Sequence, residues 1–584
     1  MPKVKIQING KPVEVEAGTS ILKAAKAAQV KIPTLCYHPD LEPWAACGIC
    51  VVKVENSPKM VRACATSVVE GQNYITHDPE LMEVRKTVVE LMHSNHPNEC
   101  LTCARNGTCE LQNISEDFCI RNETYCEELK DLPADHSTTS IVLDPRKCIN
   151  CGRCALVCQQ LQDVWALEFI NRGYDTVIQP AGGALLGESP CIKCGQCSAH
   201  CPVGAIYEKD ETDDFLKAVR TEGKHVVVQV APATRVAIGE AFGMEPGTIM
   251  TGQMYAALRM LGADAVFDTN FSADLTIMEE GSELVKRLTE KDHGPLPQIT
   301  SCCPAWTDYM EKYYSDMIPH FSTAKSPMMM QGAITKTYYA DKAGVDPKDI
   351  YSVAIMPCTA KKYEIGRDDN MAASGHPDMD LVLTTRELAR LIKRAGINFL
   401  TLPEEGADSP IGAYSGAGTI FGVTGGVMEA ALRTAHILVT GEELKDVNIT
   451  AVRGMEGVKV GEVPVGDVTL KVAVAHGMVN VRQLMDEVRE ARIAGKEPPY
   501  HFIEVMACKG GCIGGGGQPY FTDEEVRQKR VAGIYSDDEK STVRCSHQNP
   551  EITQIYKEFL GEPLSHKSHE LLHTKYQARP LYQK

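Results

Sequence analysis

Five cysteines in the second half of the chain have the residue type and the spacing of metal-cluster ligands. Three short segments, TSCCPAW (300–306), IMPCTAKKYE (355–364) and EVMACKGGCIGGGGQP (504–519), contain Cys302, Cys303, Cys358, Cys508 and Cys512. Thiolates gathered from distant parts of a chain usually hold a metal cluster, whereas cysteines at two-residue intervals hold simpler iron–sulfur centres. Since the chain has both patterns, the sequence predicts an electron path that leads to a buried catalytic cluster.

The first cysteine group along the chain has a spacing that suits a 2Fe-2S cluster. The pattern C-x10-C-x2-C-x13-C is formed by Cys36, Cys47, Cys50 and Cys64. Before it, apolar and polar residues alternate about Asn9-Gly10, which predicts a β-hairpin, and Ser20 is placed to cap a following helix. Hairpin, helix and cysteine loop together predict a β-grasp ferredoxin-like domain over residues 1–79, with a zinc site as the alternative interpretation of the thiols.

A second group lies inside a stretch, residues 81–118, whose pattern predicts helix. The spacing H-x3-C-x2-C-x5-C joins His96, Cys100, Cys103 and Cys109, with His93 as a nearby alternative to His96. A histidine in place of one cysteine removes a negative charge and should raise the potential of a 4Fe-4S cluster. The pattern predicts a small helical domain over residues 80–140 whose cluster is held by one histidine and three cysteines, and in which Cys119 and Cys126 are ordinary core or loop thiols.

Two identical cysteine runs follow, each with the spacing C-x2-C-x2-C-x3-C. This is the bacterial two-cluster ferredoxin pattern, in which the fourth cysteine of each run binds the other cluster. One 4Fe-4S cluster is therefore expected on Cys148, Cys151, Cys154 and Cys201, and the other on Cys191, Cys194, Cys197 and Cys158. The pattern predicts a ferredoxin-like α+β domain over residues 141–209.

Composition narrows the class of protein. The chain has 584 residues, too many for one core, and a net charge of −17 argues against nucleic acid as the main partner. The chain has no apolar run of about 18 residues, which excludes a membrane-spanning helix. It also has no export signal at its start, which predicts a cytoplasmic location with no membrane partner. In such a chain the 23 cysteines are expected to bind metal rather than to form disulfides.

The remaining residues, 210–584, have an α/β pattern. Strand-like runs alternate with helical segments, and they lie at residues 225–233, 263–269, 351–357, 379–385 and 501–507. This alternation predicts mostly parallel sheets, and open sheets of that kind bind ligands at the carboxyl ends of their strands, where three of the cysteine segments fall. The glycine-rich stretches match neither a Walker loop nor a dinucleotide fingerprint. The whole chain is thus predicted to be a multi-domain α/β protein without a nicotinamide or flavin site of its own.

The three cysteine segments, taken together and in order, resemble the signature segments of the iron-only (FeFe) hydrogenases. The resemblance extends over essentially the whole chain to the multi-cluster clostridial form, and in length and composition to the catalytic subunits of NADP-reducing hydrogenases of sulfate reducers. It implies an H-cluster, which is a 4Fe-4S cubane joined through one cysteine to a diiron site with carbonyl, cyanide and azadithiolate ligands. The implied ligands of the cubane are Cys303, Cys358, Cys508 and Cys512, with Cys512 as the bridge.

The same resemblance implies a proton relay and a set of pocket residues. The relay runs Cys302–Glu280–Ser322–Glu283, with Arg287 at its outer end, and Glu280 and Glu283 are three apart and so share one face of a helix. Lys361 resembles the lysine that donates a hydrogen bond to a cyanide of the diiron site. The walls of the pocket are expected from Pro232, Pro327, Met356, Met506 and Phe421, for which plain core packing is the alternative.

The predicted function is therefore the reversible interconversion of H2 with protons and electrons. Electrons would pass through one 2Fe-2S and three accessory 4Fe-4S clusters to or from ferredoxin or flavin-bearing, NAD(P)-linked partner subunits, and maturation enzymes would insert the diiron unit. One alternative is a pure electron-transfer subunit, because residues 1–209 also resemble the front end of respiratory NADH dehydrogenase subunits. Another is a non-catalytic relative that serves cluster assembly or hydrogen sensing, and the presence of Cys302, Glu280, Glu283 and Lys361 favours catalysis over it.

Overall fold

This computed structural model describes residues 2–122, 124–125, 129–290, 293–367, 371–466 and 468–582. The predicted multi-domain α/β class is confirmed, since an N-terminal mixed sheet and short cysteine-bearing helices precede two larger sheets flanked by helices. No helix among the described residues is long and apolar enough to cross a membrane.

The N-terminal sheet has the strand order β2-β1-β5-β3-β4. The predicted hairpin is present, because Asn9 and Gly10 both adopt positive φ, 52° and 78°, as a tight turn between twisted strands requires. The predicted cap is present too, since the hydroxyl of Ser20 accepts a hydrogen bond of 3.3 Å from the Lys23 amide. The elements are β1 (Lys3–Ile8), β2 (Lys11–Glu16), α1 (Ile21–Ala27), β3 (Val51–Val54), β4 (Met60–Arg62) and β5 (Asn73–Ile75).

The stretch predicted as helix, residues 81–118, is helical only at its two ends. Helix α2 (Pro79–His93) is capped by Asp78, and α3 (Glu110–Asp117) begins after the last cysteine of the group. Between them lies a single 3-10 turn, Cys100–Thr102. Pro97 accounts for the break, because proline lacks an amide donor and disfavours helical backbone in the residue before it. The prediction of one helical stretch was therefore wrong for the cysteine loop.

The two identical cysteine runs lie on a pair of short helices between two-stranded antiparallel ladders. Each helix begins at a glycine in the left-handed region, Gly152 with φ 81° and Gly195 with φ 71°. The ladders pair β6 with β9 and β7 with β8. The elements are β6 (Ile141–Leu143), α4 (Arg153–Gln160), β7 (Glu168–Ile170), β8 (Val177–Gln179), α5 (Gln196–His200), β9 (Ile206–Glu208) and α6 (Thr212–Ala218).

The larger half of the chain contains two four-stranded sheets. The first, β11-β10-β13-β14, is parallel throughout, and the second, β12-β17-β16-β15, has only β15 antiparallel to its neighbour. The prediction of mostly parallel sheets is thus confirmed. The strands are β10 (His225–Val230), β11 (Ala265–Asp268), β12 (Gln298–Ile299), β13 (Ile350–Met356), β14 (Leu381–Thr384), β15 (Val458–Val465), β16 (Val468–His476) and β17 (Phe502–Met506).

Helices cover these sheets and fill the space between them. The longest that runs through the core is α8, which starts directly from β11 and is capped by Asp268. The helices are α7 (Thr251–Met260), α8 (Thr269–Thr289), α9 (Pro304–Tyr313), α10 (Pro327–Ile334), α11 (Ala340–Ala343), α12 (Lys361–Glu364), α13 (Thr385–Arg394), α14 (Gly416–Ile420), α15 (Gly426–Thr440), α16 (Met478–Ile493), α17 (Glu524–Lys540), α18 (Pro550–Ile555) and α19 (His566–Leu572).

Strand ends of both large sheets bring the three cysteine segments to one place. Cys303 and Cys508 follow the neighbouring parallel strands β12 and β17, which end at the same edge of the second sheet. Cys358 follows β13 of the first sheet, and all three thiols line one cavity. Strand β17 is fixed by Glu504, whose buried carboxylate accepts hydrogen bonds from the amides of Gly425 (2.6 Å) and Met428 (2.7 Å). The amino end of α15 therefore stabilises negative charge on Glu504, which lies four residues before Cys508.

Candidate active site and metal centres

The carboxyl ends of the strands surround an apolar cavity of ≈ 80 Å³. Its lining includes all four cysteines expected to hold a cubane, Cys303, Cys358, Cys508 and Cys512. Burial raises the pKa of the Cys358 thiol to about 12, with neighbouring Cys303 acting in the same direction. Burial and then Cys358 and Cys303 likewise raise the pKa of Cys508. Four mutually close thiols in an apolar cavity form a donor set that fits an iron–sulfur cluster.

The predicted pocket residues line the same cavity. It is bounded by Pro232, Pro327, Met356, Met506 and Phe421. Pro232 and the two methionines lie at or just beyond strand ends, whereas Pro327 begins α10 and Phe421 follows α14. The methionines directly precede the Pro357–Cys358 and Ala507–Cys508 pairs. The structure thus brings together residues that are far apart in sequence. Their apolar side chains form cavity walls that exclude water.

Lys361, at the start of α12, extends its ammonium group towards this cavity. Its Nζ donates to the Cys302 carbonyl at 3.2 Å and pairs with the Glu364 carboxylate at 2.7 Å. Burial opposes the charge of Lys361, but Glu364 more than offsets it, so the pKa of Lys361 stays above its usual value. Sequence reasoning missed Glu364, which keeps this buried lysine cationic.

The residues predicted for a proton relay lie in a row from the cavity towards the surface. Ser322 donates to Glu283 at 2.8 Å, and Arg287 pairs with the same carboxylate at 2.6 Å. On the inner side, neither oxygen of Glu280 has a hydrogen-bond partner in the part of the chain that is described. Burial raises the pKa of Glu280 to about 8, and the charge of Glu283 adds to the rise. A carboxyl that titrates near neutral pH suits proton transfer.

Cys302 lies between Glu280 and the thiols of the cavity. Burial raises its pKa well above the usual value, and Glu280 and Cys303 act in the same direction. The thiol is therefore protonated in the folded chain at neutral pH.

The four N-terminal thiols form two contacting pairs. Cys47 lies close to Cys36 and lowers the pKa of that thiol, and Cys64 likewise lowers the pKa of Cys50. All are buried or half-buried and none is in a disulfide. The structure thus brings together the four residues that the spacing selected.

Thiols from the two ferredoxin-like runs lie close to one another. Cys201, the last of the second run, acts on the pKa of the first three thiols of the first run, Cys148, Cys151 and Cys154. Conversely, Cys158 lies among Cys191, Cys194 and Cys197. Each of the two groups therefore takes its fourth thiol from the other run.

His96 has the features of a metal ligand. Its Nδ1 is 2.9 Å from the Pro97 carbonyl, so Nε2 is left as the unprotonated atom, and Nε2 is buried without a partner among the described residues. A carbonyl that fixes the tautomer in this way is typical of ligating histidines. Burial lowers the pKa of His96 to about 4. His93, the alternative, contacts Ser115 through Nε2 at 2.6 Å.

The other cysteines of this region differ in their surroundings. Cys100 is exposed, whereas Cys103 and Cys109 are half-buried. Burial is the main cause of the raised pKa of Cys109, and nearby Cys103 adds to the rise. Cys119 is an exposed loop thiol as predicted, and Cys126 lies outside the described residues. Cys545, in the last part of the chain, is buried and does not line the cavity.

Gln196 connects the second ferredoxin-like run to the cavity. Its Nε2 donates to the Cys508 sulfur at 3.2 Å and to the Gly514 carbonyl at 2.9 Å. The loops pack so closely that a Cβ at Gly516 would be 2.2 Å from the Cys194 carbonyl. Sequence reasoning did not single out Gln196, because its position inside the motif suggested no partner outside its own loop.

A loop of the N-terminal domain forms ion pairs with the loop that follows Cys508 and with α17. The Asp40 carboxylate pairs with Lys509 at 2.8 Å and with Arg527 at 2.6 Å. Because Lys509 directly follows Cys508, these ion pairs hold the loop that bears Cys36 near the cavity.

Comparison with known proteins assigns the family. The sequence model described as "Iron only hydrogenase large subunit, C-terminal domain" matches residues 224–516. The NADP-reducing hydrogenase subunit HndD of Solidesulfovibrio fructosivorans is 48% identical over 99% of both chains. The chain belongs to the iron-only (FeFe) hydrogenases. Iron hydrogenase 1 of Clostridium pasteurianum is 39% identical over 98% of this chain and 99% of its own.

Solved structures and further family models agree with this assignment. The [FeFe]-hydrogenase HydA1 of Chlamydomonas reinhardtii, in one variant, matches with a TM-score of 0.57 and 46% identity over 64% of this chain and 100% of its own. Other models match a 2Fe-2S cluster binding domain (1–78), an NADH-ubiquinone oxidoreductase-G iron–sulfur region (85–124), a 4Fe-4S binding domain (141–160 and 187–207) and an iron hydrogenase small subunit (524–579). The chain is thus a hydrogenase with iron–sulfur domains and an H-cluster region.

Proposed function

We propose that this iron-only hydrogenase interconverts H2 with protons and electrons at an H-cluster held by Cys303, Cys358, Cys508 and Cys512. The observation that carries the proposal is the convergence of these four thiols on one apolar cavity, with Cys302 and Lys361 on its wall. The organometallic group supplies the hydrogen chemistry when bound. The chain's own residues exclude water from the cavity and deliver protons and electrons to it.

Four domains divide this work. Residues 1–79 hold one 2Fe-2S cluster, residues 80–140 one 4Fe-4S cluster on His96 and three cysteines, and residues 141–209 two 4Fe-4S clusters on the crossed ligand sets. Residues 210–584 hold the H-cluster, with Cys512 as its bridging ligand. The family models that match residues 1–78 and 141–207 support the bounds of the first and third domains. The interleaved thiols, together with a His96 Nε2 that is unpaired among the described residues, support the ligand sets.

Protons move between Cys302 and the surface through Glu280, Ser322 and Glu283. The bonded outer half, Ser322 to Glu283 to Arg287, keeps Glu283 oriented. Neither oxygen of Glu280 makes a hydrogen bond of standard geometry among the described residues, but the Ser322 hydroxyl is close enough to lower the pKa of Glu280 and so lies within reach of its carboxyl. A neutral acid between two fixed groups is a proton carrier.

Electrons enter or leave through the accessory clusters, and the hydrogen bond from Gln196 to Cys508 supports a position of the last of these beside the cavity. The relative named as an NADP-reducing hydrogenase subunit supports partner subunits linked to NAD(P), and ferredoxin is the alternative partner. Maturation enzymes supply the diiron unit. We place the enzyme in the cytoplasm, as the sequence predicts.

A viologen-linked hydrogen assay on purified, matured protein tests this function, with carbon monoxide as the inhibitor. Cys302→Ala is expected to remove most turnover, by about 10²-fold or more, at unchanged iron content. Cys545→Ala, which removes a thiol remote from the cavity, is the matched control and should keep activity. If fully loaded wild-type protein neither consumes nor evolves hydrogen, the chain is instead a non-catalytic relative. If Cys302→Ala loses iron, Cys302 is a ligand and the assigned relay is wrong.

Co-purification from the native cell tests the electron partner. Flavin-bearing subunits that travel with the chain would support the NAD(P)-linked route. Isolation of the chain alone, with turnover supported by ferredoxin, would contradict that route.

A further inference from the structure

The outer end of the relay opens into a surface cleft of ≈ 590 Å³ that is also lined by two histidines, His293 and His569. Glu283, Arg287 and Thr323 line one part of the cleft, and His569 of α19 lines another. His569 is exposed, and its ring lies 4.3 Å, centroid to centroid, from the ring of buried His573. An exposed imidazole backed by a buried one therefore lies at the point where the relay meets solvent.

Hydrogen bonds connect the buried histidine to the relay. The Thr323 amide donates to Glu283 Oε2 at 3.3 Å, and the hydroxyl of the same threonine is 2.8 Å from Nδ1 of His573. On its other side, Nε2 of His573 is 3.1 Å from Glu279 Oε2. Glu283 and Glu279 are thus joined through Thr323 and His573.

Glu279 holds His573 from the other side. The carboxylate of Glu279 is completely buried and also accepts from the Tyr556 hydroxyl (2.5 Å) and the Leu564 amide (2.8 Å). Buried polar groups are normally hydrogen-bonded in this way, and the three bonds fix the position of the His573 ring. This network could serve only to anchor the last part of the chain to α8. Anchoring does not explain His569, which is exposed and faces the cleft.

We propose that His569, held against His573, exchanges protons between solvent buffer and Glu283 and so loads and unloads the relay. In each step one proton passes, through water in the cleft, from the His569 imidazolium to the Glu283 carboxylate, or back; no electron moves. His573 is a positioning residue, since its ring packs against that of His569 at an angle of 44° and its Nδ1 contacts the Thr323 hydroxyl, while the amide of that threonine donates to Glu283. The groups that face His569 are His573, Glu279, Glu283 and Lys286, and Arg287, His293 and Lys575 share the cleft.

The concentration of free protons shows why such an exchanger matters. At pH 7 direct protonation of one site by free protons is limited to on the order of 10²–10³ per second, the product of 10⁻⁷ M and a diffusion limit of about 10⁹–10¹⁰ M⁻¹ s⁻¹. Buffer molecules are far more abundant, and a histidine can take protons from them because its ordinary pKa is about 6.5. Partial burial, and then His573, lower the pKa of His569, which favours release of its proton to Glu283. The inference rests on the proposed relay, since an exchanger has no task without it.

The test compares His569→Gln with His566→Gln in the matured enzyme. His566 is exposed on the same helix but does not line the cleft. In dilute buffer at pH 7–8, His569→Gln should lower hydrogen evolution by about tenfold, and added imidazole should restore it. His566→Gln should match wild type under both conditions, and iron content should be equal in all three. Equal turnover of the two variants in dilute buffer, or a loss that imidazole does not restore, would overturn the proposal.

A second measurement does not depend on turnover. Histidine NMR on protein that carries its iron–sulfur clusters but no diiron unit gives the titration midpoint of His569. Glu283→Gln should lower that midpoint, because the carboxylate favours the imidazolium; an unchanged midpoint counts against contact between the two groups. Failure of the relay is distinguishable, since Glu283→Gln would then retain wild-type turnover. Loss of turnover in Glu283→Gln together with an unaffected His569→Gln would contradict only the exchanger.

Discussion

Replacement of Glu280 by glutamine separates proton transfer from packing. The two side chains have nearly the same shape, and Glu280 is fully buried with no hydrogen-bond partner for either carboxylate oxygen among the described residues. Glutamine therefore fits the space but cannot carry a proton between Cys302 and Ser322. We expect Glu280→Gln to fold, to load its clusters, and to lose turnover by about 10²–10⁴-fold.

The size of the accompanying stability effect follows from the pKa. Burial, with the charge of Glu283, raises the pKa of Glu280 from 4.5 to about 8. Between these two values the unfolded chain has released a proton that the folded chain keeps, so the stability of wild type falls as pH rises. The fall relative to Glu280→Gln is about 2 kcal/mol by pH 6 and approaches about 5 kcal/mol by pH 8. The variant has no such carboxyl and should not show this fall.

Two assays check these expectations. Thermal unfolding of both proteins at pH 5, 6.5 and 8 should show the variant gaining on wild type at each step. Infrared difference spectra should show a protonated carboxyl in wild type that disappears with a midpoint near pH 8 and is missing in the variant. Parallel pH dependence of the two unfolding curves, or a carboxyl already ionised at pH 6, would refute the burial argument.

Three further substitutions follow from other parts of the structure. His96→Cys should lower the midpoint potential of one accessory cluster, because it adds a negative charge, and an unchanged redox titration followed by electron paramagnetic resonance would rule out ligation by His96. Gln196→Leu removes the 3.2 Å bond to the Cys508 sulfur and should lower the cubane potential in protein without the diiron unit; a potential equal to wild type would mean that this bond does not tune the cluster. Lys325→Met leaves Asp378 uncompensated in a fully buried pair of 2.9 Å and should cost about 3–5 kcal/mol, whereas the exposed Lys342→Met should cost under about 1 kcal/mol, both measured by thermal unfolding; similar costs would contradict the role of burial.

Local patterns predicted much of the fold. The runs that became β10, β13 and β17 were visible because strands buried on both faces are continuously apolar. Strand β12 was missed because it has two residues, Gln298–Ile299, and the hairpin β15–β16 was missed although its strands pair over eight positions. The break after α2 depends on one proline in a stretch that otherwise has a helical period.

Ligand thiols could be selected by spacing, whereas the side chains that surround them could not. Gln196 bonds to a sulfur 312 positions away, and His573 to a threonine 250 positions away. Glu364 is only three positions from Lys361. The pair matters because both side chains are buried, and a short window of sequence does not reveal burial. Contacts of this kind depend on how the sheets and helices dock and become visible only in three dimensions.

The ion pairs of Asp40 constrain the order in which the protein can be completed during synthesis. Its partners Lys509 and Arg527 are 469 and 487 positions further along the chain. At about 5–20 residues per second, the ribosome delivers Lys509 roughly 25–95 s after Asp40. During that interval the N-terminal domain depends for its stability on its own sheet. It can receive iron before the segment that contains Lys509 and Arg527 has been synthesised to cover it.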